Sequence, residues 1–137
     1  MNFGEIFSKY KTIAVYGMSR HPSKPAHSVP AYMMKQGYSV IPVNPAMDEI
    51  LSLKCYKNIL DIPQDIDILN VFRPSSDTLE IIKEAVERRK IKGDIKLIWL
   101  QEGIFSPEGK ILAEQNGIDY IENRCMYKDY VMVGIEE

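Results

Sequence analysis

Five short apolar runs alternate with segments of helical spacing, and this alternation constrains the fold more than any other feature of the chain. The runs cover residues 12–16, 39–43, 67–72, 95–100 and 118–122. The runs are predominantly apolar, whereas a strand with one solvated face alternates apolar and polar residues regularly. The pattern therefore predicts an α/β fold, in which a mainly parallel five-stranded sheet carries helices on both faces. Right-handed crossovers predict a doubly wound sheet with strand order 3-2-1-4-5.

Helical spacing and helix-start signals predict four helices, which cover residues 3–10, 29–36, 75–90 and 106–117. Asp77, with Glu80 three residues later, forms an acidic variant of a capping box. Ser106 followed by Pro107 is typical of a helix start, with serine as the cap and proline in the first turn. The tail beyond Cys125 has a weaker pattern, and its segment "YVMVGI" is a candidate for a further edge strand.

The charge balance gives no support to a protein that binds polyanions. With 17 basic and 19 acidic residues, the chain has no positive excess for nucleic acid or an anionic membrane. No apolar run approaches the ~18 residues of a transmembrane helix, and the first residues lack the apolar segment of a signal peptide. We therefore expect one cytoplasmic domain over residues 1–137, either monomeric or a homo-oligomer.

The cysteines and histidines do not form a metal-binding pattern. Cys55 and Cys125 are far apart, and both histidines, His21 and His27, lie in the loop after the first strand. We therefore expect no metal site and two reduced thiols. Cys125 follows the last predicted strand, so it is either a buried packing residue or a redox-active thiol on the ligand side.

In doubly wound sheets, ligands bind beyond the carboxyl ends of the strands, where the strand order reverses. The predicted order puts that switch point between the first and fourth strands. The segments expected to meet there are Gly17, Met18, Ser19 and Arg20; Val43, Asn44 and Pro45; Phe72, Arg73 and Pro74; and Gln101, Glu102 and Gly103. They contain two glycines, two arginines, and two strand ends that are followed by an X-Pro dipeptide.

The first loop has features of a phosphate-binding turn. Gly17 permits a tight turn and a close approach of a ligand to the backbone, so the amides of residues 18–20 could hold phosphate oxygens. Donors or positive charge come from Ser19, Arg20, Ser23 and Lys24. The alternative is a plain turn at Gly17 followed by a solvated polar loop.

The sequence disfavours NAD as the ligand. The run "GMSRHP" lacks the G-x-G-x-x-G fingerprint, and Asn44 stands where an acidic residue would bind the ribose. Asn44 either contacts a base or ribose, or forms an Asx turn before Pro45. Coenzyme A carries a ribose 3′-phosphate as well as a diphosphate, which suits a site with several cations.

Six segments occur in an order that resembles a known family: "TIAVYGMS", the loop with Lys24 and Pro25, "GYSVIPVNP", "DILNVFRPSSD", "IWLQEGI" and "NRC". They are similar to stand-alone bacterial and archaeal CoA-binding proteins, which are Rossmann-like domains similar to the CoA-binding domain of the succinyl-CoA synthetase α subunit. The resemblance implies CoA phosphates at Gly17, Ser19, Arg20 and Lys24; adenosine near Val43, Asn44, Pro45, Phe72 and Arg73; and pantetheine toward Gln101, Glu102 and Gly103.

The sequence therefore predicts non-catalytic binding of coenzyme A or an acyl-CoA, since no catalytic constellation accompanies the predicted site. Two alternatives are an NAD(P)-binding oxidoreductase domain with a degenerate loop, and a redox or regulatory protein that acts through Cys125. Arg73 is either a ligand contact or a member of a surface ion pair. Glu102 is interpreted as a residue that orients the loop at Gly103.

Overall fold

A computed structural model of the chain describes residues 2–136. Along the chain, its elements are α1 (Phe3–Lys9), β1 (Thr12–Tyr16), α2 (Pro25–Lys35), β2 (Ser39–Val43), β3 (Glu49–Ile50), β4 (Leu53–Lys54), a single 3₁₀ turn (Ile59–Asp61), β5 (Ile68–Val71), α3 (Ser75–Lys92), β6 (Leu97–Leu100), α4 (Pro107–Gln115), β7 (Asp119–Ile121) and α5 (Met126–Glu136). The order β2-β1-β5-β6-β7 forms a five-stranded sheet in which every neighbouring pair is parallel. This architecture confirms the predicted Rossmann-like α/β class. The short strands β3 and β4 form a separate antiparallel hairpin.

The predicted strand order is wrong at one step. The prediction placed residues 67–72 beside β2, but β5 pairs with the other edge of β1. The outer edge of β2 instead contacts Tyr56, whose amide donates to the carbonyl oxygen of Pro42 at 3.0 Å. Pro42 itself lies within β2, and a residue without an N–H is tolerated on an edge strand. The switch point therefore lies between β1 and β5, not between β1 and β6.

Helices cover both faces of the sheet, as the apolar strands predict. Alternate residues of β1 point to opposite faces. Ile13 and Val15 belong to a core cluster with residues of α1, α2 and α5, whereas Ala14 belongs to a second cluster with residues of α3 and α4. The sheet is thus buried on both sides, and its carboxyl edge is left for the loops.

The candidate edge strand "YVMVGI" is part of helix α5 instead. Met126 and Tyr130 are four residues apart, so they share one face of a helix. The ring of Tyr130 lies edge-on to Phe7 of α1, with 5.2 Å between centroids, and 5.9 Å from the ring of Tyr38. These aromatic contacts explain why the segment packs as a helix on the sheet rather than joining it.

The start of α2 and the capping of α3 also differ from the prediction. The first residue of α2 is Pro25, four residues before the predicted start at residue 29. The N-cap residue of α3 is Pro74, and no side chain caps this helix. The predicted capping box is therefore wrong, because Asp77 accepts a hydrogen bond from Arg73 and Glu80 pairs with Lys83. Among residues 2–136, no helix has the length and apolar character needed to cross a membrane.

Candidate functional site

An open groove lies at the carboxyl edge of the sheet, where β1 and β5 are neighbours. Its volume of about 630 Å³ falls in the range of about 300–1,000 Å³ for small-molecule sites. We call it the switch-point groove; it is lined by Tyr16, Gly17, Asn44, Pro45, Ala46, Arg73, Ser76, Asp77, Glu80 and Ile81. The topology rule for doubly wound sheets places ligands at this position.

The backbone at Gly17 forms the floor of the groove. Gly17 has a φ of +87°, and its amide donates to the carbonyl oxygen of Val43 at 2.8 Å. This bond continues the pairing of β1 with β2 one residue beyond the strands. The amide of Phe72 donates in the same way to the carbonyl oxygen of Tyr16 at 2.9 Å. The ends of three strands are therefore held together, and a ligand that approaches the main chain at Gly17 meets the Arg73 side chain, which packs over it.

Arg73 supplies positive charge to the groove, but it has an acidic partner. Its Nη2 donates to Oδ2 of Asp77 at 2.8 Å, and both side chains are about half exposed. Glu80 lines the same wall one turn further along α3. The sequence prediction found Arg73 but missed Ser76, Asp77 and Glu80. The predicted helix start directly after Pro74 could have indicated these three residues, because it places the first turns of the helix beside the end of β5.

Asn44 positions the backbone rather than offering a free side chain. Its Nδ2 donates to the carbonyl oxygen of Met18 at 2.9 Å, and its Oδ1 accepts from the amide of Ala46 at 2.8 Å. The second bond is the Asx turn that the sequence offered as one of two alternatives. The first bond ties the end of β2 to the first loop. Asn44 therefore fixes the shape of the groove at its β2 side.

The first loop is held by a set of short-range hydrogen bonds around Ser19. The Ser19 amide donates to the carbonyl oxygen of Ala26 at 3.1 Å, and its hydroxyl accepts from the amide of His21 at 3.0 Å. Nδ1 of His27 lies 2.7 Å from the carbonyl oxygen of Ser19. Because a carbonyl oxygen only accepts, this Nδ1 carries the proton. The ring of His27 is thus part of the loop structure, whereas His21 contributes its main-chain amide.

The predicted site residues of this loop and of β2 fall into two groups. The side chains of Arg20, Ser23 and Lys24 are exposed on the first loop and are not part of the lining of the groove. The side chains of Met18 and Val43 are fully buried in the core. Both residues are buried as a whole, main chain included, so neither offers a surface to a ligand in this structure.

The segment after β6 does not line the switch-point groove. Gln101 is buried, and its Oε1 accepts from the amide of Met126 at 3.4 Å, at the start of α5. Glu102 pairs with Lys128 at 3.0 Å, and the amide of Gly103 donates to Asn123. This segment follows a strand one place beyond the switch point, because the strand order differs from the prediction. Its observed contacts connect the sheet to α5.

Both thiols are shielded. Cys125 is 9% exposed and Cys55 is 4% exposed, and burial raises the pKa of the Cys55 thiol. Residues 2–136 also contain no cluster of three or more potential metal-binding side chains.

Comparison with known proteins gives a consistent result. The family model described as "CoA binding domain" matches residues 11–130. Over 122 residues the chain is 34% identical to the uncharacterized protein YneT of Bacillus subtilis, covering 89% of this chain and 87% of that protein. A Thermus thermophilus protein of solved structure superposes with a TM-score of 0.88 at 37% identity, covering 97% of this chain and 99% of the other.

A larger enzyme also contains a matching region. The ADP-forming acetate–CoA ligase II of Archaeoglobus fulgidus is 36% identical over 106 residues. The match covers 76% of this chain but 15% of the ligase. The similarity therefore extends to one part of that enzyme only.

Proposed function

The chain belongs to the CoA binding domain family, and from this premise we propose that it binds coenzyme A or an acyl-CoA in the switch-point groove without catalysing a reaction. The observation that carries the proposal is the convergence of Gly17 and Arg73. They leave neighbouring strands and face one groove of ligand size in a domain of this family. The match to the Archaeoglobus ligase extends over 15% of that enzyme, and the proposal takes nothing from its ligase activity.

The phosphates are assigned to the loop after β1. There the exposed hydroxyl, guanidinium and ammonium groups of Ser23, Arg20 and Lys24 can approach the ligand, whereas the Ser19 amide already donates to Ala26. The assigned residues are Gly17, Ser19, Arg20, Ser23 and Lys24, with Met18 as a buried support of the loop. Charge-assisted hydrogen bonds from such groups are about twice as strong as neutral ones. The bonds around Ser19 support this assignment, because they preorganise the loop.

The adenosine end is assigned to the groove itself, between Asn44 and Pro45 on one side and Arg73 on the other. Arg73 is the guanidinium available there for the ribose 3′-phosphate of coenzyme A. Val43 and Phe72 support these positions from the strand ends. The pantetheine arm is assigned to the loop after β6, where Glu102 and Gly103 are exposed. Gln101 contributes to this loop from a buried position, since its side chain bonds to α5.

Isothermal titration calorimetry tests the proposal with coenzyme A, acetyl-CoA, dephospho-CoA, NAD and NADP. We expect the three CoA compounds to bind and the two nicotinamide cofactors to give no heat. A folded protein that binds neither coenzyme A nor dephospho-CoA contradicts the proposal. Selective binding of NAD or NADP would favour the oxidoreductase alternative. Native mass spectrometry separates reversible binding from a mixed disulfide with Cys125.

A further inference from the structure

The charges that line the switch-point groove are unusual for a site that receives anions. Among the described lining residues, Arg73 is the cation, whereas Asp77 and Glu80 are carboxylates. Electrostatic complementarity to a phosphate would favour more cations than carboxylates in the lining. The two acids lie on the wall made by the first turns of α3, on the same side as the arginine.

The position of Asp77 next to Arg73 is fixed by the fold. The two residues are four apart, across the start of α3, and their charged groups are 2.8 Å apart. The aliphatic part of Arg73 packs against the backbone at Gly17, which restricts where the guanidinium can lie. An anion that binds Arg73 in the groove therefore comes close to the Asp77 carboxylate as well. Since the pair is exposed, it is weak enough to be displaced.

We propose that Asp77 is a specificity-determining residue that competes with the ribose 3′-phosphate of the ligand for Arg73. The inference rests on the proposed function. A dianionic phosphate must share Arg73 with Asp77 and is repelled by its carboxylate. A ribose hydroxyl at the same place can instead donate a hydrogen bond to that carboxylate. Asp77 thus reduces the preference for coenzyme A over dephospho-CoA that Arg73 alone would give.

The test compares Asp77→Asn with Glu87→Gln by calorimetry against both ligands. The control removes the same charge from an exposed position of the same helix, about 15 Å further along its axis (ten residues at about 1.5 Å each). We expect Asp77→Asn to bind coenzyme A about tenfold more tightly than the wild type, equivalent to about 1.4 kcal/mol. The affinity of Asp77→Asn for dephospho-CoA should change by less than about threefold relative to the wild type. The affinity of Glu87→Gln for either ligand should change by less than about twofold.

Salt dependence separates competition for charge from a change in structure. The gain in affinity for coenzyme A shown by Asp77→Asn should shrink as ionic strength rises, because interactions between exposed charges are screened by salt. Asp77→Ser, which keeps a residue favoured near helix starts, serves as a second variant if Asp77→Asn does not fold. Unchanged or weaker binding of coenzyme A by a folded variant overturns the inference and leaves the proposed function intact. If the wild type and every variant fail to bind either CoA compound, the proposed function fails as well.

Discussion

The side chain of Arg73 lies directly over Gly17. A Cβ atom added at Gly17 would be 2.9 Å from Cδ of Arg73 and 3.2 Å from its Cγ. Gly17 also has a φ of +87°, a conformation that side chains rarely adopt. The floor of the groove and its cation are therefore coupled, since a change at one residue displaces the other.

Replacement of Gly17 by alanine should weaken ligand binding as well as stability. The left-handed conformation costs roughly 1–2 kcal/mol for a residue with a Cβ, and the added methyl group pushes the Arg73 stem out of place. We expect the Gly17→Ala protein to melt earlier and to bind coenzyme A more weakly, as measured by thermal unfolding and calorimetry. Gly37→Ala is the matched control, since Gly37 has a φ of +98° and a Cβ added there would meet no atom within 4 Å. It should lose stability and keep its affinity; equal affinity losses in both variants would contradict the coupling.

Replacement of Arg73 by alanine tests its contact with the ligand directly. If Arg73 binds a phosphate, affinity for coenzyme A should fall by roughly 1.5–3 kcal/mol, the range for hydrogen bonds to charged groups. Lys96→Ala removes one exposed cation near the amino end of β6, at the opposite edge of the sheet, and should bind as the wild type does. Calorimetry of both variants checks this, and an unchanged affinity in Arg73→Ala would remove Arg73 from the site.

The sequence was sufficient to predict the class of the fold because continuous apolar runs imply strands buried on both faces. It did not determine whether β5 pairs with β2 or with β1, since both arrangements bury the same residues. Pro42 was the available sign that β2 is an edge strand. The tail was misjudged for a related reason: "YVMVGI" is apolar enough for a strand, and the contact of Tyr130 with Phe7 across the fold makes it a helix.

The candidate site was predictable in part, because the sequence shows where each strand ends. Strand ends are visible in the sequence, so Gly17, Asn44 and Arg73 were assigned to the carboxyl edge. Which of these ends share a groove depends on strand order, and the error there assigned Gln101 to the switch point. The Asp77 carboxylate was interpreted as a helix cap because its alternative partner depends on the side-chain placement of Arg73.

Arg88 and Asp94 form a buried ion pair that should be essential for stability. Arg88 is 1% exposed; it donates to Asp94 and to the carbonyl oxygens of Ile59, Ile62 and Gln64. Arg88→Met leaves the carboxylate buried without its cation, which typically costs about 3–5 kcal/mol. Urea unfolding measures the loss.

The exposed pair of Lys83 and Glu80 on the same helix gives the control for that measurement. Lys83→Met should change the free energy of unfolding by less than about 1 kcal/mol, because exposed pairs contribute little. The double variant Arg88→Met with Asp94→Leu should recover part of the stability, since no unpaired charge then remains buried. An Arg88→Met protein as stable as the wild type would contradict the assigned role of Arg88.

Alkaline pH should destabilise the protein partly through Tyr38. Burial raises the pKa of Tyr38 to about 12, and its hydroxyl donates to the carbonyl oxygen of Phe7. In the unfolded chain a tyrosine loses its proton near pH 10. Between about pH 10 and 12 the native state therefore binds more protons than the unfolded state, so the free energy of unfolding falls as pH rises.

The variant Tyr38→Phe lacks this titration and isolates its contribution. Near pH 8 the wild type should be more stable by about 1 kcal/mol, the net value of a typical hydrogen bond. As pH rises from 10 to 12 the difference should shrink by about 1.4 kcal/mol per pH unit and then reverse. Other tyrosines with raised pKa values, such as the half-buried Tyr120, are present in both proteins, so their effect cancels in the difference. Denaturant unfolding at pH 8 and pH 11.5 measures the difference in free energy of unfolding between the wild type and Tyr38→Phe. A difference that is the same at both pH values would show that the pKa of Tyr38 is not raised in the native state.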